Sequence, residues 1–442
     1  MASTQLTKTF ANNGNRKTMT FSFWVKRGTL GTNQYPFSIY DSSSGLQADM
    51  RFITTDIHRM YATDTSTNTS LSFQTNRVFR DTSAWYHIVW AIDTTQATES
   101  NRVKLYVNGV QETSFSQAIY PSQNLDLRWN GNDNADTGGV NYIGAINGGN
   151  YLDGSMSHIN FIDGTAYDAT AFGEFDANGV WKINTSPSVT YGTNGYFILK
   201  DGNSVTDQSG NSNDWTVGGG TLTNTEDSPS NVFATLNPLN SWGDTVLTNG
   251  NTTAGNTGTS AGHVSSTIHM NSGKWYMEFN VDTHLTSYSA PVFLLAGTGA
   301  FQQAQVGFNS SGDGSFGIAS NGRSVTDGAD SGSVVIPALV NNDKVQIAYD
   351  ADAGKAWFGI NGAYLDSGNP TTAANPYFTS TKLQNNDVSL IILGYNGNAM
   401  SANFGNGYFG TTAVASAGTN ASGNGIFEYD VPTGYTALST KG

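Results

Sequence analysis

Short segments in which apolar and polar residues alternate recur along the chain and predict β-strands. In residues 19–25 an apolar side chain occupies every second position from Met19 to Val25, so these side chains share one face of a strand. The other predicted strands have the same one-sided character, and they lie at residues 85–92, 103–107, 141–144, 156–162, 274–281, 304–308, 344–349, 356–360 and 388–393. Each apolar face needs a second sheet to cover it, which predicts sandwiches of antiparallel sheets.

The same hairpin occurs in both halves of the chain. A polar turn at 93–101 precedes a strand that ends at Asn108-Gly109, and a polar turn at 350–354 precedes a strand that ends at Asn361-Gly362. An Asn-Gly pair between two strand-like segments is a strong hairpin signal, because both residues accept a positive φ. The sequence therefore predicts two β-modules in series.

The apolar periodicity lapses between residues 201 and 240, which divides the chain into three parts. We expect one sandwich at residues 1–200, a connector at 201–240 and a second sandwich at 241–442. Large apolar side chains that need burial are spaced through the connector, namely Trp215, Val232, Phe233, Leu236 and Leu239. The connector is therefore predicted to be ordered.

Composition supports an all-β chain and narrows its partners. Fifty-one glycines, 12% aromatic and only 12% charged residues favour short strands and tight turns over helices. The net charge of −14 argues against nucleic acid as a partner, because phosphate binding depends on Lys and Arg. The sequence has no cysteine and no apolar run long enough for a signal peptide or a bilayer span, so we predict neither disulfides nor membrane insertion.

Motifs in the two halves resemble two known domain families. In the first half, three segments resemble laminin-G-like, concanavalin A-like domains, namely NRKTMTFSFWVKRG at 15–28, WYHIV at 85–89 and RVKLYVNG at 102–109. In the second half, three segments resemble a SPRY domain, namely GKWYME at 273–278, VGF at 306–308 and PTGYTAL at 432–438. The resemblance implies two antiparallel jelly-roll or concanavalin A-like β-sandwiches in tandem.

The connector motifs SGNSNDWT at 209–216 and DSPSNVFATLNPL at 227–239 resemble those of tailed-bacteriophage virion proteins that carry this pair of domains. The resemblance implies a structural protein on the virion exterior, such as a tail fibre, a head fibre or a capsid decoration. It would be made in the host cytoplasm without a signal peptide. The implied partners are capsid or tail subunits, further copies of the same chain and a glycan of the host surface.

Two roles remain open for such a protein, adhesion to a host glycan and reinforcement of the particle. Adhesion would use loop-tip residues of the first module, whose tyrosine rings can stack on sugars and whose polar groups can bond hydroxyls. The predicted glycan-binding residues are Asn130, Asn132, Asp133, Asp136, Tyr142 and Tyr151. Reinforcement would use the broad side faces of the sandwiches.

No cofactor is predicted, and a structural Ca²⁺ ion is the alternative. Asn132, Asn134 and Asp136 alternate as oxygen ligands do in calcium loops, although the glycine and the closing glutamate of an EF-hand are missing. The six histidines show no pair at zinc-site spacing. His87, inside an aromatic strand, is predicted to be a hydrogen-bonded structural residue.

The competing hypothesis is a carbohydrate-active enzyme, a glycoside hydrolase or lyase, on the same fold. Such hydrolases need two carboxylates that flank the scissile bond. The nearest match to a Glu-x-Asp-x-x-Glu strand motif is Glu174-Phe175-Asp176, but Gly179 stands where the second glutamate is needed. Glu278 is predicted to be a solvated or structural carboxylate. We therefore predict a binding protein without catalytic residues.

Overall fold

The computed structural model describes residues 3–40, 47–63, 68–131, 139–200, 202, 204–258, 261–284, 292–296, 312 and 314–442. The chain forms two compact units, Met1–Asn224 and Thr225–Gly442. Both consist of mainly antiparallel sheets with a few short 3-10 turns, which confirms the all-β prediction. No helix in the described part of the chain has the length and hydropathy to span a bilayer.

The first unit contains sixteen described strands and two 3-10 turns, Glu99–Asn101 and Ala169–Ala171. The strands are β1 (Gln5–Lys8), β2 (Thr18–Arg27), β3 (Gln34–Tyr40), β4 (Gln47–Phe52), β5 (Ile57–Thr63), β6 (Thr69–Val78), β7 (Tyr86–Asp93), β8 (Val103–Val107), β9 (Val110–Glu112), β10 (Phe115–Ile119), β11 (Asn141–Ile143), β12 (Gly154–Asp163), β13 (Gly173–Phe175), β14 (Trp181–Ile183), β15 (Tyr196–Ile198) and β16 (Thr216–Gly219).

Two large sheets of the first unit enclose one core. The eight-stranded sheet has the order β10-β6-β5-β4-β3-β11-β1-β16, and the six-stranded sheet has the order β15-β12-β2-β7-β8-β9. Side chains from both sheets meet in this core, including Phe21 and Trp90 from the six-stranded sheet and Phe37 and Met50 from the eight-stranded sheet. The first predicted sandwich is thus present.

Residues 165–191 cover the outer side of the six-stranded sheet. The Thr20 hydroxyl donates to the Thr165 carbonyl at 2.8 Å, and Trp181 Nε1 donates to His87 Nδ1 at 3.0 Å. The other ring nitrogen of His87 lies 2.9 Å from Ser22 Oγ. Burial lowers the pKa of His87 to about 3, so the ring is neutral. The prediction of a structural histidine is confirmed.

The predicted connector at 201–240 does not form a separate body, because its two ends join different units. Trp215 lies in the core of the first unit, 5.1 Å from the Tyr196 ring, and β16 pairs with β1. Phe233 and Leu236 lie in cores of the second unit. Leu239, expected to be buried, is 63% exposed. Its edge strand changes register between Leu236 and Ser241, which interrupts the alternation of inward and outward side chains.

The motif at 209–216 serves the fold of the first unit. The Asp207 carboxylate just before it accepts hydrogen bonds from the backbone N–H groups of Phe197, Ser209 and Asn213. The side-chain amides of Asn211 and Asn213 both donate to the Gly195 carbonyl at 2.9 Å. These bonds fasten the segment to the start of β15.

The second unit contains a further set of described strands and two 3-10 turns, Leu365–Ser367 and Thr381–Leu383. The strands are β17 (Leu236–Trp242), β18 (Thr245–Thr248), β19 (Thr253–Asn256), β20 (Gly262–Ser266), β21 (Lys274–Thr283), β22 (Val292–Ala296), β23 (Ser315–Ile318), β24 (Ser324–Thr326), β25 (Ala329–Asp330), β26 (Lys344–Asp350), β27 (Lys355–Ile360), β28 (Ala363–Tyr364), β29 (Phe378–Thr379), β30 (Val388–Gly394), β31 (Ala399–Asn403), β32 (Tyr408–Phe409), β33 (Thr412–Ala413) and β34 (Thr436–Ala437).

Two large sheets also build the second unit. One has the order β17-β20-β30-β22-β23-β24-β25 and the other has the order β18-β19-β31-β21-β26-β27-β28, with β29 beside β27 and β34 beside β21. Their core includes Phe279, Ile347 and Leu390. The predicted strand at 304–308 lies outside the described residues.

Both predicted Asn-Gly hairpins are present and have the same construction. The φ values are 48° and 79° at Asn108 and Gly109, and 50° and 89° at Asn361 and Gly362. In each hairpin the asparagine Oδ1 accepts a hydrogen bond from a backbone N–H of the neighbouring strand. The donor is His87 N of β7 at 2.7 Å for Asn108, and Lys344 N of β26 at 2.8 Å for Asn361. The asparagine thus fixes both the turn and the end of a neighbouring strand.

Candidate functional site

The outer side of the eight-stranded sheet carries a mixed set of polar and aromatic side chains. In β4 the apolar residues Ala48, Met50 and Phe52 lie in the core, so Asp49 and Arg51 point away from it. We use the term outer polar face for the outward residues of this sheet, namely Thr7, Ser38, Asp49, Arg51, Arg59, Tyr61, Ser72, Gln74, Gln117 and Tyr142.

Strand register arranges the outer polar face in two rows. Directly paired positions run in the first row from Thr7 through Tyr142, Ser38, Asp49 and Tyr61 to Ser72. Paired positions run in the second row from Arg51 through Arg59 and Gln74 to Gln117. Neighbours within a row are close enough to interact, so the face acts as one surface.

Asp49 lies at the centre of this face and is fully buried. Its Oδ1 is 3.4 Å from Arg51 Nε, and Gln47 Nε2 donates to its Oδ2 at 3.3 Å. Burial raises the pKa of Asp49 to about 7, and the positive charge of Arg51 opposes this effect only in part. The carboxyl group therefore changes its charge near neutral pH.

Two arginines occupy directly paired positions of β4 and β5, each beside a tyrosine. The Arg51 guanidinium lies over the Tyr35 ring at 5.2 Å and donates to the Tyr35 hydroxyl. The Arg59 guanidinium lies over the Tyr61 ring at 4.2 Å. Arg59 Nε is buried and has no hydrogen-bond partner among the described residues. Two like charges thus face each other across one strand pair.

The remaining groups of the face are held by hydrogen bonds. Gln117 Oε1 accepts from Ser72 Oγ at 2.8 Å and from Gln74 Nε2 at 2.7 Å. At the other end of the face, Tyr142 OH lies 3.5 Å from Asn147 Oδ1. Burial raises the Tyr142 pKa, so this phenol stays neutral.

The structure brings two of the predicted glycan-binding residues to one turn. Tyr151 OH donates to the Gly148 carbonyl at 2.8 Å, next to the Asn147 side chain that Tyr142 approaches. The turn is closed by a bridge between Ile146 and Gly149. Tyr151 therefore lies in a turn next to Tyr142 of the outer polar face, and both tyrosines are half-buried.

Asn130 departs from its predicted role at an exposed loop tip, because its side chain is only 1% exposed. Its Nδ2 donates to Asp163 Oδ1 at 2.6 Å and to the Asn15 carbonyl at 3.0 Å. Its Oδ1 accepts from Asn194 Nδ2 at 2.8 Å. Asn130 joins three separate chain segments and serves the fold. Four other predicted positions lie outside the described residues: Asn132, Asp133, Asn134 and Asp136.

All three predicted calcium ligands, Asn132, Asn134 and Asp136, lie outside the described residues. Within the described ranges, no group of three or more histidine, aspartate or glutamate side chains is placed to hold a metal ion. The Ca²⁺ alternative at Asn132, Asn134 and Asp136 stays a prediction.

The carboxylates considered for catalysis occupy structural positions. Asp176 accepts hydrogen bonds from the backbone of Asn178 and Val180 at 2.9 Å, which closes the turn between β13 and β14. Glu278 is buried and accepts from Glu428 N at 2.8 Å and Tyr429 N at 2.9 Å. Burial raises the Glu278 pKa to about 7. Its structural role was one of the two roles predicted.

The site residues predicted from the sequence did not include Asp49, Arg51, Arg59 and Tyr61. The signal that could have found them is the alternation in β4 and β5, where Met50 and Met60 point inward between polar neighbours. Both strands are short and place Asp49, Arg51 and Arg59 among their apolar residues, which weakens the apolar pattern on which strand prediction depends.

Comparisons with known proteins agree with the fold of the first unit. Residues 2–169 match a laminin G family model described as the Concanavalin A-like lectin/glucanases superfamily. This match confirms the concanavalin A-like prediction for the first domain. No curated protein matches the sequence.

Several solved structures are similar at low sequence identity. The SPRY domain of human HERC1 is 12% identical, with a TM-score of 0.30, covering 38% of this chain and 96% of that one. Domains LG4-5 of the mouse laminin alpha1 chain are 9% identical, with a TM-score of 0.29, covering 90% and 85%. A putative carbohydrate binding protein from Bacteroides ovatus is 13% identical, with a TM-score of 0.30, covering 51% and 61%. The SPRY assignment of the second unit stays a prediction.

Proposed function

We propose that the protein is a non-enzymatic carbohydrate-binding protein on the exterior of a tailed-bacteriophage particle, and that the outer polar face of its first unit contacts the sugar. The observation that carries this proposal is the composition of that face. It combines tyrosine rings, guanidinium groups and amides on a rigid sheet. Aromatic faces stack on sugar rings, and fixed donors and acceptors bond sugar hydroxyls.

The location of the face supports its role. The family match covers residues 2–169, which include every strand of this sheet except β16, and the superfamily comprises lectins and glucanases. The outer side of the opposite sheet is covered by residues 165–191, through contacts such as that of Trp181 with His87. On the eight-stranded sheet, by contrast, Arg51, Arg59, Tyr61 and Tyr142 are each partly exposed, and a ligand can approach these side chains.

The same face argues for binding over hydrolysis. Asp49 is the only acidic residue in the eight described strands of the sheet. A retaining glycosidase needs two carboxyl groups about 5 Å apart, and an inverting enzyme needs them about 6.5–9.5 Å apart. Asp49 is also buried beside Arg51, so it is poorly placed to reach a glycosidic bond.

The virion role rests on the resemblance of the motifs at 209–216 and 227–239 to those of phage virion proteins. In that setting the partners are capsid or tail subunits and copies of the same chain. Many copies on one particle would multiply weak sugar contacts through effective concentration. Imaging the labelled protein on intact particles tests this assignment, and a label absent from the particle surface contradicts it.

Sugar binding can be tested with polysaccharides from a host envelope in affinity electrophoresis. We expect Tyr61→Ala to weaken retardation by about fivefold, because a lost stacking contact is worth about 1 kcal/mol. Tyr408→Ala, in the second unit, is the matched control and should not change retardation. Equal behaviour of both variants and the wild type contradicts the proposed site, and new reducing ends contradict the non-enzymatic assignment.

A further inference from the structure

The outer polar face differs in charge from the rest of the protein. The chain carries a net charge of −14. At the centre of the face, however, there are two positively charged side chains, Arg51 and Arg59, and only one carboxyl group, that of Asp49. An acidic protein repels acidic polymers in general, so a local excess of arginine marks a place where such a polymer can be accepted.

The two guanidinium groups are held in place by neighbouring tyrosines. Tyr35 lies under Arg51 and Tyr61 lies under Arg59, with ring distances of 5.2 Å and 4.2 Å. Contact with an aromatic ring restricts the positions that a guanidinium can adopt. Arg51 is held further by its hydrogen bond to the Tyr35 hydroxyl and by its contact with Asp49. The arginines are therefore oriented before any ligand arrives.

Repulsion between Arg51 and Arg59, which occupy directly paired positions, lowers the stability of the sheet when no ligand is bound. Like charges at directly paired positions of a sheet destabilise it. Asp49 offsets the charge of Arg51 at 3.4 Å. Arg59 has no comparable acidic partner within the described residues, and its buried Nε lacks a hydrogen bond. An anion between the two arginines would relieve both conditions.

We propose that the outer polar face selects glycans that carry negatively charged groups, carboxylate or sulfate, through Arg51 and Arg59. This inference rests on the proposed function and specifies its ligand class. The planar edge of a guanidinium offers two parallel donors to the two oxygens of such a group. Tyr61 and Tyr142 would then contact the uncharged part of the sugar.

The test compares polymers that differ only in charge. Polygalacturonate, its carboxyl-reduced form and dextran sulfate paired with neutral dextran serve as probes, with the full chain in affinity electrophoresis. We expect the wild type to bind at least one charged polymer at least about tenfold more tightly than its neutral counterpart, as hydrogen bonds to charged groups allow. This preference should decrease as salt screens the charges.

Variants assign the preference to residues. Arg59→Gln removes a charge that has no acidic partner among the described residues, so it should fold normally and lose the preference. Arg51→Gln should act in the same direction, and near-ultraviolet circular dichroism checks its fold. Lys104→Gln, on β8 of the other sheet, is the control with the same charge change and should keep the preference.

The outcomes separate the inference from the proposal on which it rests. Equal affinity for charged and neutral polymers overturns the inference and leaves sugar binding intact. A charge preference that survives both Arg59→Gln and Arg51→Gln overturns the assignment to this face. Absence of binding to these polymers and to host polysaccharides overturns both. Preference for one charged polymer over the other identifies the anionic group as carboxylate or sulfate.

Discussion

Replacing Asp49 by asparagine should stabilise the protein above neutral pH. In the folded state burial raises the pKa of Asp49 from 3.8 to about 7. Between these two pH values the folded protein retains a proton that the unfolded chain has lost. Stability from this group is therefore fully present below the unfolded pKa and is lost as the pH rises through the folded pKa.

The size of the effect follows from the shift. A rise of about three pKa units, each worth about 1.4 kcal/mol, corresponds to about 4 kcal/mol of lost stability above the folded pKa. Asparagine has the shape of the protonated acid and never ionises. We therefore expect Asp49→Asn to match the wild type near about pH 4 and to exceed its unfolding free energy by up to about 4 kcal/mol near about pH 8.

Urea unfolding of the full chain across this pH range measures the difference between variant and wild type. The difference cancels the titration of Glu278, which both proteins share. Asp126→Asn, at a carboxylate whose side chain is 58% exposed, is the control and should stay within about 0.5 kcal/mol at every pH. A difference for Asp49→Asn that does not change with pH would show that the pKa of Asp49 is not raised in the folded protein.

Three further predictions concern the fold and the metal. Asn130→Ala should lower the unfolding free energy by about 1–3 kcal/mol, because buried partners such as Asp163 lose a hydrogen bond. Loss of sugar affinity at unchanged stability would contradict the structural role of Asn130. Trp215→Ala should lower it by about 3–5 kcal/mol in urea unfolding, whereas the exposed Leu239→Ala should change it by less than about 0.5 kcal/mol; similar effects would contradict the described burial. Chelation distinguishes the two cofactor hypotheses, since EDTA lowers the melting temperature of a protein that binds structural Ca²⁺ and leaves that of a metal-free protein unchanged.

Local patterns were sufficient for much of the fold. The Asn-Gly pairs at Asn108 and Asn361 predicted both hairpins, because a positive φ at two successive residues is a local requirement. Burial of Trp215 followed from its size alone. Leu239 was expected to be buried for the same reason, but it is exposed. The register shift in its edge strand depends on the partner strand and has no local sequence signal.

The candidate site was less accessible to sequence reasoning. Asn130 has polar neighbours in the sequence, and only the fold places it beside Asp163 and Asn194. Arg51 and Arg59 form a pair only because β4 and β5 adopt one register. Neither relation has a local sequence signal, whereas Tyr142 and Tyr151 were proposed from their residue type and their place in a loop, and their contact with sugar stays a prediction.

Hydroxyl-radical footprinting of the full chain with and without a bound oligosaccharide tests directly whether sugar contacts the outer polar face. Tyrosine rings are oxidised where solvent reaches them, so the method reports contact at the outer polar face without any substitution. We expect the sugar to protect Tyr61 and Tyr142 and to leave Tyr408 of the second unit unchanged. Protection of Tyr408 with Tyr61 and Tyr142 unaffected would contradict this expectation.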